Sequence, residues 1–185
     1  MRHSVLFGFV LAALLVPLAG GVASTDGQPR TIVVSFTEAT LRVLAGDEII
    51  FKTRVVLPSK EKQRYDLPVT GKVTKSVMDP WWYPTPAALR HDGSLKNAYE
   101  PGEPGNEMGD CKIYIDWGGV PFMQYIRIHG NGAYDDLGRE LSSGCIRTPD
   151  ALCEILVDLS TTGTQVICEA KPLLPAVVNV QRFNQ

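Results

Sequence analysis

Cys145 and His129 are the two side chains of this 185-residue chain best suited to nucleophilic chemistry. Both fall within Ile126 to Pro149, which reads IRIHGNGAYDDLGRELSSGCIRTP. A thiol becomes a useful nucleophile near neutral pH only beside a base or a positive field, and histidine is the usual supplier. The plain alternative is that a cysteine behaves as a small buried hydrophobe. The setting favours chemistry. Gly144 precedes the cysteine, where a side chain would hinder approach of a ligand to the backbone, and Arg147 follows two residues later.

Several elements must position this pair. Ile126 and Ile128 alternate with Arg127 and His129, the pattern of a half-buried strand that ends at His129–Gly130. A loop rich in Gly, Asp and Asn follows, and Ser142 to Arg147 leads into a helix that Thr148 and Pro149 are suited to start. Leu152, Ile155, Leu156 and Leu159 predict one apolar helical stripe, Gly163 a stop, and residues 165–169 a last strand. Upstream, residues 31–57 read as a β-hairpin turning at Gly46–Asp47, and Pro58 to Asp66 as a solvated loop. A strand is expected over Lys72 to Met78 and another over Cys111 to Asp116, turned by Trp117-Gly118-Gly119 into a return strand from Phe122 to His129. Between them, Asp79 to Gly109 is a long proline-rich, aromatic loop, a length that often marks a functional lid. The reading is a mainly β fold with one or two helices.

Composition narrows the function. One domain with a proper core suits the length, and a formal net charge of −2 without a basic run argues against nucleic acid. Only three histidines are present, one of them His3, and there is no C-x-x-C pair, which argues against zinc. Met1 to Ser24 reads as a secretory signal peptide: Arg2 and His3 give a positive start, Val5 to Leu18 is apolar, and small residues follow. No later segment is apolar and long enough to span a membrane. Residues 25–170 form the expected domain and 171–185 a tail.

His129-Gly130, then Ser142-x-Gly-Cys-Ile-Arg after positions 130–141, resembles the signature of the YkuD-type L,D-transpeptidases, bacterial cell-wall enzymes. Pro68-Val69-Thr70-Gly71 is similar to that family's P-T-G turn, Asp79 to Pro84 to its N-P-x-W-Y-P segment, and Gly105 to Gly109 to its G-x-x-N-P-L-G. Ser143 departs from the pattern, which commonly has His there, and leaves His129 as the base candidate of the motif.

The resemblance implies a β-sandwich-like catalytic domain with no cofactor. It implies that Cys145 attacks the carbonyl between the third and fourth residues of a peptidoglycan tetrapeptide stem. His129 would then protonate the departing D-alanine amine, with the Gly130 carbonyl orienting the ring. Physical need adds the N–H groups of Gly144 and Cys145 as oxyanion donors. Arg147, Ser142, Ser143, Trp82, Tyr83 and Asn131 are expected on the substrate side, Ser142 chiefly as a loop-fixing hydroxyl. Arg147 either holds a substrate carboxylate or braces the loop against Asp135, Asp136 or Glu140. The acyl group would pass to an amine, giving a cross-link or an anchored lipoprotein, or to water. Export to the periplasm or cell wall follows. The alternatives are a hydrolase of the same bond class, whether a carboxypeptidase or one releasing wall-anchored protein, and a silent wall-binding protein.

Four cysteines in an exported chain invite pairing. With Cys145 kept as a thiol, Cys153 and Cys168 are the expected disulfide, since the helix and the strand that carry them cover similar distances. The alternative is that all three remaining cysteines stay reduced.

Overall fold

Alternating β-branched residues build most of the chain into strands, and a computed structural model describes residues 27–170. The signal peptide expected over Met1 to Ser24 and the tail expected over 171–185 lie outside the described residues. The strands are β1 (Arg30–Ser35), β2 (Thr40–Ala45), β3 (Glu48–Arg54), β4 (Leu57–Pro58), β5 (Val69–Met78), β6 (Cys111–Asp116), β7 (Ile128–His129), β8 (Glu140–Ser142), β9 (Ile146–Arg147) and β10 (Gln165–Glu169). Two α-helices accompany them, α1 (Pro86–His91) and α2 (Asp150–Leu159).

Eight strands form one curled sheet in the order β3-β2-β1-β10-β5-β6-β7-β9, and β4 pairs with β8 beside it. The mainly β expectation holds, as do the limits of β6 and β10. The core lies on one face, where Ile32, Val34, Leu41, Val43, Ile113 and Trp117 pack with Leu156 of α2. Among the described residues, no helix is long and apolar enough to cross a membrane.

Three local expectations need correction. The 31–57 hairpin is a three-stranded meander, because the chain also turns between β1 and β2. That turn has no Gly or Pro to announce it: Ala39 takes a positive φ of 49°, and Ser35 Oγ accepts the Glu38 N–H at 3.2 Å. The return strand from Phe122 shrinks to Ile128–His129. A 3₁₀ turn over Met123–Tyr125 replaces its start, with Phe122 in the left-handed region and Met123 buried. In α2 the inward residues are Cys153 and Leu156, while Ile155 is 42% exposed. The helix face is set by position 153, which the sequence pattern of leucines does not weigh.

The disulfide corrects a fourth. Cys111 joins Cys153, with a Cα–Cα distance of 5.9 Å, and Cys168 is a buried free thiol. Equal element lengths were not sufficient grounds for pairing Cys153 with Cys168. On β5, Cys111 lies opposite Met78 and Cys168 opposite Val69, so the two sit at opposite ends of a ten-residue strand. That strand spans roughly 30 Å. The first turn of α2 sits over the Cys111 end.

Candidate active site

Strands β7 and β9 run parallel, with Ile128 opposite Ile146 and His129 opposite Arg147. This register places Cys145 level with Arg127, two residues before the level of His129. It also brings the His and Cys segments together, as the sequence spacing implied. Thr148 N–H donates to the His129 carbonyl at 2.9 Å, closing the pair on its far side.

His129 is buried. Its Nδ1 lies 2.9 Å from the Gly130 carbonyl oxygen, the contact expected to orient the ring. A carbonyl only accepts, so Nδ1 carries the proton there and Nε2 is left as the basic nitrogen. Burial, then the charges of Lys112 and Arg147, bring the imidazole down to about 4, against smaller opposing effects of the Gly130 and Met108 backbone. The ring is neutral at pH 7.

Cys145 keeps part of its surface open yet is densely surrounded by protein. That surrounding pushes its thiol up, while the Arg127 backbone, Lys112, Arg127 and Arg147 pull the other way. The sulfur lies 3.7 Å from the Tyr125 carbonyl, and no hydrogen bond joins it to His129. Resting thiol and resting imidazole are therefore both neutral, separated along one strand pair.

The loop around Cys145 is held by Ser142, which is buried. Its hydroxyl donates to the Cys145 carbonyl and accepts the Gly144 N–H at 3.3 Å. This is the loop-fixing part foreseen for it, and it leaves the Ser142 side chain turned into the protein rather than towards a substrate. Gly144 adopts φ 152°, and a Cβ built on it meets no protein atom within 4 Å. Ser143 is exposed beside it.

A second clasp secures the His129 side. Asp150, the first residue of α2, accepts the N–H groups of Asp110 and Asn131 on one oxygen, each at 2.9 Å. A Cβ on Gly130 would stand 1.9 Å from that oxygen, so glycine is required for the carboxylate to enter. Asn131 takes a positive φ of 57° and is exposed, its backbone tied to Asp150.

The structure separates the remaining expected residues. Arg147 reaches neither Asp135, Asp136 nor Glu140; its carboxylate neighbour is Glu107 at 4.0 Å, while Asp136 pairs with Arg139. Arg147 Nε is buried without a hydrogen-bond partner among the described residues. Trp82 packs on the buried Tyr99, ring centres 4.9 Å apart, in a bridge across the 79–109 segment. Tyr83 stacks on Trp81 and is 66% exposed. Asn106 knits that segment, donating to the Pro80 and Glu100 carbonyls and accepting Met108 N–H. The segment reaches the site through Glu107, beside Arg147, and through the Met108 backbone, beside His129.

Lys112 and Arg127 are functional candidates that the motif did not single out. Lys112 lies opposite His129 on β6, with Nζ 5.0 Å from the centre of the Tyr114 ring, and the Arg127 guanidinium lies 5.6 Å from the same centre. Neither has a carboxylate partner among the described residues. Alternation along β6 was the available signal, since it puts Lys112 and Tyr114 on the face away from the core.

Comparison with known proteins places this geometry. Residues 29–168 match the YkuD family model, described as the L,D-transpeptidase catalytic domain. A protein of Escherichia coli named probable L,D-transpeptidase ErfK/SrfK is 34% identical over 90 residues. That match takes in 47% of this chain and only 27% of the relative's length. Among solved structures, L,D-transpeptidase 3 from Mycobacterium tuberculosis superposes with a TM-score of 0.56 at 16% identity, covering 77% of this chain and 62% of that one. The catalytic domain of the Enterococcus faecium L,D-transpeptidase acylated by ertapenem gives 0.54 at 18%, covering 76% and 97%. At such identities these structures establish the fold.

Proposed function

The chain belongs to the YkuD L,D-transpeptidase catalytic-domain family. From that premise we propose that it is a cysteine acyltransferase acting on peptidoglycan stem peptides. The observation carrying this reading is the position of Cys145 immediately before β9, with the cavity lined by Ser143 and Gly144 on one side and the buried, carbonyl-anchored His129 two residue levels along on the other.

Cys145 Sγ attacks the carbonyl between the third and fourth residues of a tetrapeptide stem. Because both groups rest neutral, the thiol proton moves to His129 Nε2 as the S–C bond forms, rather than beforehand. Substrate binding must bring sulfur and imidazole into proton-transfer reach, since apo geometry is commonly longer than the working one. The Cys145 N–H supports the oxyanion, joined by Gly144 N–H if its bond to Ser142 Oγ yields. Collapse breaks the C–N bond, and the imidazolium gives its proton to the leaving D-alanine amine. The thioester then passes to an amine acceptor, a second stem or a wall-anchored lipoprotein, or to water, and the thiol is restored. Arg147, Asn131 and Ser143 border the substrate, as does Tyr83 at greater remove.

The Cys111–Cys153 bond and the Met1 to Ser24 segment support export, because disulfides persist in oxidising compartments such as the periplasm. Incubation with purified disaccharide-tetrapeptides tests the function. Cross-linked dimers with loss of D-alanine are expected. Tripeptide product alone in the presence of excess acceptor would identify a carboxypeptidase instead.

A further inference from the structure

A cavity of about 230 Å³ opens on the Ser143–Gly144 side of the nucleophile. Its walls include Phe122 and Tyr125 from the 3₁₀ turn, and Lys62 and Arg64 from the connection between β4 and β5. No Asp or Glu lines it. Lys62 and Arg64 are both exposed, and neither forms an ion pair among the described residues. The two aromatics are 51% and 71% exposed, and Phe122 holds its ring out from a left-handed backbone that bulky residues avoid.

The direction of the substrate follows from strand register. Residues 125–126 and 143–144 precede β7 and β9, Cys145 and Arg127 come next, and His129 and Arg147 lie at the far ends. The group that gives up its proton to the leaving amine is thus on one side of the sulfur, and the cavity on the other. A peptide whose leaving residue lies towards His129 must run its acyl portion into the cavity.

We infer that this cleft is the binding site for the acyl-donor stem, and that Lys62 and Arg64 select donors with free carboxylates on the portion that precedes the scissile bond. The inference rests on the transferase reading for the identity of the donor. Apolar backbone and side-chain surface of the stem lies against Phe122 and Tyr125, while the carboxylates meet the two cations at the rim. Both cations are solvated, so the pairing tunes affinity and encounter more than the chemical step.

The test reads binding without turnover. Cys145 is alkylated with neutral iodoacetamide while a soluble tetrapeptide stem, or its counterpart with the carboxylates upstream of the scissile bond converted to carboxamides, competes. In the wild type the acidic stem should half-protect at a concentration about tenfold lower than the amide. In the double variant Lys62→Gln, Arg64→Gln the two stems should differ less than about twofold, each read against that variant's own unprotected alkylation rate. Equal protection by both stems in the wild type, a preference unchanged in the variant, or no protection by either would overturn the assignment. Protection of the expected pattern with no acyl transfer in the product assay would leave the cleft standing and remove the catalytic reading.

Discussion

His129 is held neutral by its surroundings, and that has a cost in acid. Its folded value of about 4 lies below the ordinary imidazole value of 6.5, so the unfolded chain takes up the proton first as pH falls. Stability associated with the neutral ring is complete above about 6.5 and is lost progressively as pH drops towards the folded value. A gap of this size corresponds to about 3 kcal/mol by pH 4. Urea unfolding between pH 7 and pH 4 should therefore show a steeper loss of stability for the wild type than for His129→Asn, whatever the variant's stability at pH 7. Identical slopes would mean that the imidazole is not buried in its neutral form. The same balance holds at Cys145: Lys112, Arg127 and Arg147 supply positive field around the thiol, yet burial outweighs it and pushes the thiol up.

At the level of elements, α2 acts as a bolt on the site. Asp150 at its first turn fixes the Asp110 and Asn131 backbone, and Cys153 one turn later is bonded to Cys111 at the start of β6. The Cys111 carbonyl in turn accepts the Gly130 N–H at 3.1 Å. Helix, strand and the loop after His129 are thereby tied at one corner. The cross-link spans 42 residues of sequence. Removing a native disulfide typically costs 2–5 kcal/mol, about 4 for a loop of this length in the chain-entropy model. Cys111→Ser with Cys153→Ser should lower the urea midpoint correspondingly, and a reductant should have the same effect on the wild type. Cys168→Ser should leave the response to reductant intact. A midpoint insensitive to reductant would deny the bond.

Across the whole molecule, what the sequence disclosed follows from which forces are local. The mainly β class, β6 and β10 were legible because alternation and turn chemistry are written in adjacent residues; α2 begins one residue later than a Thr148 cap would place it, with Pro149 as its N-cap and no side chain capping it. The pairing of the His129 and Cys145 segments was legible through a motif with fixed spacing. The turn at Ala39 was not, since it uses a positive φ at a residue that gives no sign of it. The curl of one eight-stranded sheet, the choice of Cys111 as Cys153's partner and the approach of Lys112 to the site depend on contacts between distant segments. Those contacts carry no local trace. Ser142 was expected as a loop-fixing hydroxyl, and its side chain bonds the Cys145 carbonyl and the Gly144 N–H from a buried position.

The central claim is that Cys145 becomes the acyl carrier. Intact-protein mass spectrometry during turnover of a tetrapeptide stem, followed by peptide mapping, tests it most directly. The account predicts an adduct with the mass of the stem less D-alanine, mapped to Cys145, and absent from a folded Cys145→Ala variant that no longer releases D-alanine. Release of D-alanine by that variant at the wild-type rate, or an adduct mapped to another residue, would contradict it.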